Sequence, residues 1–473
     1  MSKLAILGGG GVRMPALVHE LLQRGDAGFD QIALLEPNEL RREVIGRLAT
    51  ELAQSLGRPD AVTVTADVEE AITGSDFIFS AVRVGGDRGR VIDETVALAH
   101  GLVGQETIGP GGFAMAMRTI PVVLDYCRAI ERLAPDAVLI NFTNPAGIIT
   151  QAILSQTRVR AVGVCDTPSS TVERISSFVG PNRDQFAYQY GGLNHLGWVT
   201  SVTVDGQERI PDLLARYEEL SRFDHAFRGF DPELVRKVGA IPTEYLYYYY
   251  YPRRYVDTVR RAGHTRGENV EQLNRQLLSD VAPALRDGDF TAAWAAYARL
   301  MDLRHDSYMR LEMDGERTTT AAGGAAQHGT DDGVTRHRTG DAAAQPGIGG
   351  YERIAIAVMD SIAAGTRAEV IVNTRNGSTL GFLDPDDIVE APARIDADGM
   401  RPRAPSELPD AARSLVLEVK EYERAVVEAA AGASAERAAK ALALHPLVPD
   451  ATVAGELLRD YREAHGADLG YLR

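Results

Sequence analysis

The 473-residue chain predicts an α/β protein: an N-terminal parallel sheet wound on both faces by helices, followed by a second α/β region. Three observations carry that prediction. Short β-branched runs alternate with helical periodicity up to about residue 172. A glycine run directly follows the first apolar segment. Beyond residue 172 the pattern changes to long helical stretches interrupted by two strand-like ones. Strand–helix alternation is the signature of parallel βαβ units.

The elements follow in order. "KLAIL" (3–7), "QIALLE" (31–36), "VTVT" (62–65), "FIFSAV" (77–82), "AVLINF" (137–142) and "RAVGVC" (160–165) read as strands. Between most of them lie helical patterns such as "MPALVHELLQRG" and "TIPVVLDYCRAIERL". In such sheets ligands gather outside the carboxyl ends of the strands, so chemistry is expected just after Leu7, Glu36, Val82, Phe142 and Cys165. Further on, "WVTSVTVDG" and "AEVIVNTRNGSTLGFL" are strand-like, and "SLVLEVKEYERAVVEAAAG" to "ELLRDYREAHG" is helical. The stretch 313–350 is rich in Gly, Ala, Thr and charge; it reads as a loop or lid that cannot bury enough apolar surface to fold alone.

The length calls for two domains, divided at 1–172 and 173–473. A formal charge of -16 argues against nucleic-acid or anionic-membrane partners, which need basic patches. It still allows a few arginines to converge on one small anion. Two cysteines, Cys127 and Cys165, cannot form a disulfide framework, the apolar run at the N-terminus is too short for a signal peptide, and no stretch approaches the length of a membrane span. A cytoplasmic location is the expectation.

Gly8, Gly9, Gly10 and Gly11 lie between the first strand and a helix, where glycine lets the backbone approach a pyrophosphate. Arg13 stands where the third glycine of G-x-G-x-x-G would fall. Glu36, at the end of the second strand, suits the ribose hydroxyls of NAD and disfavours a 2′-phosphate. A tight βα turn with a surface glutamate is the plain alternative. By themselves, Cys165 would be a strand-end thiol and His195 a core histidine.

"GSDFIFSAVRVGG", "GLVGQETIGPGGFAMAMRTIP", "LINFTNPAGI", "GVCDTP", "GLNHLGW", "IPTEYLYYYYYP", "TRGENV", "GIGGY" and "ALHPLVPD" occur in this order. Together they resemble glycoside hydrolase family 4 over nearly the whole length. Its NAD-dependent chemistry stands apart from the paired-carboxylate mechanism of most glycosidases. The resemblance implies a Rossmann domain followed by an α/β domain carrying substrate, metal and oligomer contacts, as in lactate and malate dehydrogenases. It also implies NAD⁺ and Mn²⁺, or another divalent metal, as cofactors, and a homodimer or homotetramer. The implied reaction is hydrolysis of 6-phosphoglucosides: oxidation at C3, removal of the C2 proton, elimination of the aglycone, addition of water and re-reduction.

By this resemblance Cys165 and His195 are metal ligands, Tyr245 is the C2 base and Asp166 is the acid for the leaving group. Arg90, Asn144 and Arg266 match substrate-binding positions, and Glu106 faces sugar hydroxyls or a metal-bound water. Tyr247 to Tyr251 are assigned to packing. Asp166 is typical of members acting on 6-phospho-α-glucosides, whereas "NFTNPAGI", "RVGG" and "GPGGF" look like the β-specific branch. The β-specific form is favoured, with the α-specific form as alternative. A simple NAD-dependent 2-hydroxyacid dehydrogenase is a further alternative; it would accumulate NADH and have no use for Cys165.

Overall fold

The computed structural model describes all residues except Met1, 25–27, 181–184, 314–349, 397–398 and 404–406. The loop expected at 313–350 therefore lies, apart from its ends, outside the described residues.

Thirteen strands among the described residues form one sheet. In chain order these are β1 Lys3–Leu7, β2 Gln31–Leu35, β3 Val62–Thr65, β4 Phe77–Ser80, β5 Val138–Asn141, β6 Arg160–Gly163 and β7 Phe186–Leu193. They continue with β8 Leu196–Val204, β9 Gln207–Glu208, β10 Ile241–Pro242, β11 Ala368–Arg375, β12 Ile388–Asp396 and β13 Gly399–Pro402. The path runs β10-β8-β7-β12-β11-β6-β5-β4-β1-β2-β3, with β13 beside β12 and β9 beside β8. The stretch from β6 to β3 is entirely parallel. Its order is that of a dinucleotide-binding sheet, and the order reverses beside β1, where such sheets bind their cofactor.

The parallel strands explain their own burial. β4 and β5 are buried at every residue, as expected of strands with helices over both faces. The helix Gly109–Leu133 lines one face with Phe113, Met117, Ile120 and Leu124. On the other face Leu17, Val18 and Leu21 pack with Leu4, Ile6 and Phe79. No helix among the described residues is long and apolar enough to cross a membrane.

From β6 the sheet continues with antiparallel neighbours. Asn373 of β11 pairs with Gly163 of β6 and with Glu390 of β12, and Glu390 pairs with Gly192 of β7. Gly163, Asn373, Glu390 and Gly192 thus form one line across four strands. Gly163 is required there, because a Cβ would come within 2.4 Å of Thr150 Oγ1 and 2.8 Å of Asn373 Cβ. Sequence patterning does not reveal the long strands β7 and β12, nor the short β9, β10 and β13. β7 carries Gly191 and Gly192 near its end, and β12 contains Pro392, which ordinarily argues against an interior strand.

Candidate active site

The line of four residues sets the site. Two residues beyond Gly163, Cys165 leaves the sheet at the carboxyl edge of the parallel strands. At the other end of the line β7 turns into β8, with Leu193 paired to Leu196, so Asn194 and His195 form a two-residue hairpin loop. Such loops need left-handed residues. His195 has φ 61°, a conformation that costs a side-chain-bearing residue of order 1 kcal/mol or more. The turn brings His195 Nε2 to 3.5 Å from Cys165 Sγ, although the two are 30 residues apart. Tyr245, in the turn Glu244–Leu246, stacks on His195 with ring centroids 3.6 Å apart and planes within 4°.

Burial dominates the electrostatics of this cluster. It pushes His195 down to about 3, with only Glu106 opposing, so the ring is neutral and able to act as a ligand. It pushes the Cys165 thiol well up, with Glu390 and Asp166 adding to the effect. Those same carboxylates favour a dication beside the sulfur, which would deprotonate it. Burial also raises the Tyr245 phenol well above its ordinary range, opposed by the hydrogen bond from Tyr308. Tyr308 Oη lies 2.9 Å from Tyr245 Oη and 3.0 Å from Glu244 Oε1. Arg174 stands 3.5 Å from the other oxygen of Glu244. Glu390 accepts hydrogen bonds from Tyr190 (2.7 Å), Asn194 (2.9 Å) and Asn373 (3.2 Å), yet burial still raises it to about 7.

Asp166 is half-buried at the N-cap of helix Thr167–Val179, and its side chain caps no backbone amide. It is free for another role. Gly350 packs over it; a Cβ there would approach Asp166 Cβ to 2.9 Å.

An arginine cluster occupies the next part of the edge. Arg83, beyond β4, pairs with Glu106 at 2.5 Å, and Arg90 pairs with Glu106 at 3.0 Å and Glu94 at 2.7 Å. Burial would raise Glu106, but the two arginines outweigh it and hold its carboxyl at about 2. Arg266 opens helix Arg266–Arg286, fixed by the Thr265/Glu268 capping box, and donates to Asn269 (2.8 Å) and Ser307 (2.7 Å). Arg304 donates to Asn274 at 2.8 Å, but its buried Nε has no hydrogen-bond partner among the described residues. Burial and the nearby Arg13, Arg266, Arg90 and Arg83 hold Arg304 well below its ordinary range. In a chain of charge -16, this local surplus of positive charge calls for an anion. Asn144 sits half-buried on the same edge, in the loop after β5 that Asn141 organises through bonds to Thr143, Ala146 and Thr150.

The glycine turn lies where β1 meets β2 and β4. A Cβ on Gly8 would approach Ala81 O to 2.7 Å, on Gly9 Leu34 Cβ to 2.6 Å, and on Gly10 Glu36 Cγ to 2.5 Å. Gly11 is looser, its nearest neighbour being Gly8 O at 3.2 Å. Glu36 accepts from the amides of Gly10 (3.0 Å) and Asn38 (2.9 Å), so part of the carboxylate braces the loop and the remaining lone pairs can face a ribose. The donor sets thus fit the implied cofactors: a glycine cradle for a dinucleotide, and a neutral imidazole beside a thiol for a divalent cation. Among the described residues no third Cys, His, Asp or Glu joins Cys165 and His195 as a metal-binding group.

Of the residues named from sequence, Cys165, His195, Tyr245, Asp166, Glu106, Arg90 and Arg266 share one neighbourhood, and Gly8 to Gly11 with Glu36 lie at the adjoining switch point. Sequence reasoning missed Arg83, Thr107, Arg304, Tyr308 and Glu390. Arg304 lies in the last turn of helix Phe290–Asp306 and Tyr308 in the turn that follows it. Tyr247 and Tyr248 are core residues, and Tyr250 and Tyr251 bond Trp198 Nε1 and the Asp231 amide.

Several known proteins are similar to this chain in sequence or fold. The chain is 27% identical to a probable 6-phospho-beta-glucosidase of Bacillus subtilis over 99% of this chain and 97% of that one. The fold matches a 6-phospho-alpha-glucosidase from gut microorganisms, solved with NAD and glucose-6-phosphate, at TM-score 0.79 and 24% identity over 100% and 99% of the two chains. It also matches the 6-phospho-beta glucosidase of Thermotoga maritima, solved with manganese, NAD+ and glucose-6-phosphate, at TM-score 0.75 and 23% identity over 98% of both. Residues 3–180 match the family described as family 4 glycosyl hydrolase, and residues 190–448 match the family 4 glycosyl hydrolase C-terminal domain. Matches that take in both the glycine turn and the Cys165–His195–Tyr245 cluster place this chain in glycosyl hydrolase family 4.

Proposed function

We propose that this protein hydrolyses 6-phosphoglucosides, the β-linked ones by preference, with NAD⁺ and a divalent cation such as Mn²⁺. The observation that carries this reading is the convergence of Cys165, His195 and Tyr245 beside an arginine cluster. A simple 2-hydroxyacid dehydrogenase has no use for a buried thiol 3.5 Å from an imidazole. The division at residue 172 follows the same logic: 1–172 holds the dinucleotide, and 173–473 contributes His195, Tyr245 and Arg266.

When bound, the dinucleotide supplies a reversible hydride acceptor for C3, which makes the C2 proton acidic, and the cation supplies Lewis acidity to the neighbouring sugar oxygens. The chain's own residues do the rest. Gly8, Gly9 and Gly10 leave room for the pyrophosphate, and Glu36 faces the ribose. Cys165 Sγ and His195 Nε2 would hold the cation, which would supply its Lewis acidity to the sugar oxygens. Tyr245 Oη accepts the C2 proton; its ring stacks on His195, and a cation held by that histidine would favour the phenolate. Asp166, whose carboxyl caps nothing, protonates the departing glycosidic oxygen. Arg90, Arg266 and Arg304 take the phosphate, and Asn144 a sugar hydroxyl.

Assay of p-nitrophenyl 6-phospho-β-glucoside, its α-anomer and the two unphosphorylated glucosides, with NAD⁺ and Mn²⁺, tests the proposal. Hydrolysis of a phosphorylated glucoside is the expected result, faster for the β-anomer; no hydrolysis of either phosphorylated glucoside overturns it. Asp166 next to Cys165 favours the α-form as the second reading, and a faster α-anomer would select it.

A further inference from the structure

We propose that Gln105 and Thr107 are positioning residues that hold His195 in the Nδ1–H tautomer and aim the Nε2 lone pair at Cys165. The inference rests on the reading of Cys165 and His195 as the cation's ligands, and on three hydrogen bonds whose protons can be counted.

The Thr107 backbone N–H lies 2.6 Å from Gln105 Oε1. A backbone amide only donates, so the side-chain atom that meets it must be the carbonyl oxygen; this fixes the orientation of the Gln105 amide. Thr107 Oγ1 lies 2.8 Å from that same oxygen. Two oxygens at this distance need a proton between them, and Gln105 Oε1 has none. The single hydroxyl proton of Thr107 therefore points at Gln105. Thr107 Oγ1 also lies 2.7 Å from His195 Nδ1. With its proton already committed, the hydroxyl can only accept there, so Nδ1 carries the hydrogen. In the neutral ring Nε2 is then the bare nitrogen, and it is the one facing Cys165 Sγ at 3.5 Å.

The rest of the pocket prevents escape from this arrangement. Tyr245 covers one face of the ring, and the left-handed backbone of His195 fixes where the side chain starts. Gln105 is 7% exposed and so is screened from water that could compete for Thr107. Glu106, between the two, turns away to Arg83 and Arg90. One short segment thus orients the imidazole with its outer residues and anchors the arginine cluster with its middle one. A partner that fixes a ligating histidine's tautomer commonly accounts for a 10- to 100-fold factor in metal affinity.

Two measurements on the full-length protein test this, and neither involves turnover. In the cation-free wild type, long-range ¹H–¹⁵N spectra should show a protonated Nδ1 and a bare, pyridine-like Nε2 for His195. The reverse pattern, or both nitrogens protonated, overturns the proposal without any variant. Titration with Mn²⁺ alone, followed by electron paramagnetic resonance, should show Thr107→Val weakened about 10- to 100-fold and Thr107→Ser close to wild type. Equal affinity in wild type and Thr107→Val overturns it, as does a Thr107→Ser variant as weak as the valine. A protein with the expected spectrum and Mn²⁺ response but no phosphoglucosidase activity would overturn the proposed reaction alone.

Discussion

The hydroxyl of Tyr308 lies 2.9 Å from that of Tyr245 and 3.0 Å from Glu244 Oε1, so one tyrosine bridges the phenol on His195 to a buried carboxylate. Tyr308 has one proton to give, to Glu244 in one arrangement and to the Tyr245 oxygen in the other, so the hydroxyl can turn to Tyr245 when that phenol ionises. Burial raises Glu244, with Arg174 and Tyr308 opposing, so the carboxylate is a stronger base than usual. We predict that Tyr308→Phe lowers kcat by roughly 5- to 10-fold, the effect of about 1–1.5 kcal/mol from one lost hydrogen bond. Binding of NAD⁺ and Mn²⁺ should be unchanged. A kcat equal to wild type would remove Tyr308 from the site's proton chemistry.

Tyr245→Phe separates the proposed chemistry from direct displacement at C1. The phenyl ring keeps the stacking on His195 but has no oxygen to take a proton. In deuterated water the wild-type product should carry deuterium at C2, seen by mass spectrometry or proton NMR. The variant should lose turnover and label together while still binding NAD⁺ and Mn²⁺. Unlabelled wild-type product would contradict the assignment of Tyr245 as an exchangeable base.

Arg304→Met should act in opposite directions on stability and binding. Burial and four neighbouring arginines disfavour its charge in the absence of an anion. In phosphate-free buffer, replacement by an apolar chain of similar length should therefore raise the denaturation midpoint. The KM for a 6-phosphoglucoside should rise by roughly 10- to 150-fold, the range that corresponds to about 1.5–3 kcal/mol for a charged hydrogen bond. The KM for the plain glucoside should move little. Equal changes for both substrates would show that Arg304 does not contact the phosphate.

Glu390 gives a prediction in pH. Its carboxyl is raised to about 7 by burial, which three hydrogen bonds only partly offset, so the folded state holds the proton more tightly than the unfolded chain. Stability from this group is present at low pH and is lost as pH rises through the ordinary carboxylate value toward 7. The loss is on the order of 3 kcal/mol if the group titrates alone. Glu390→Gln keeps the shape and most partners without the titration. Urea midpoints of the cation-free protein at pH 5 and pH 8 should therefore differ less in the variant than in the wild type. An unchanged difference would assign the pH dependence elsewhere.

The parallel half of this fold was legible because its information is local. β1, β2, β4 and β5 are unbroken apolar runs followed by helical periodicity, and the glycine turn follows the first of them. The antiparallel half was less so. Pro392 and the glycines of β7 mask strands that exist because Glu390, Asn373 and Gly192 fall in register, a relation between segments about 200 residues apart. The site divides in the same way. Cys165, His195 and Tyr245 sit in motifs carried by the family resemblance. Thr107, Arg304, Tyr308 and Glu390 act through what they face across the fold, and no spacing along the chain encodes that.

The arginine surplus has a kinetic consequence. The molecule as a whole carries -16, while the cluster of Arg83, Arg90, Arg266 and Arg304 occupies one corner of one sheet edge. An approaching dianion is therefore repelled at long range and attracted only over the last few ångströms. Added salt screens the long-range part first, since the Debye length falls from about 30 Å at 0.01 M to about 10 Å at 0.1 M. Most enzymes that gather anionic ligands are steered to them by their overall field and slow down in salt. Here capture of a phosphosugar should quicken as ionic strength rises from 0.01 to 0.1 M, because the salt removes a repulsive barrier rather than a guide.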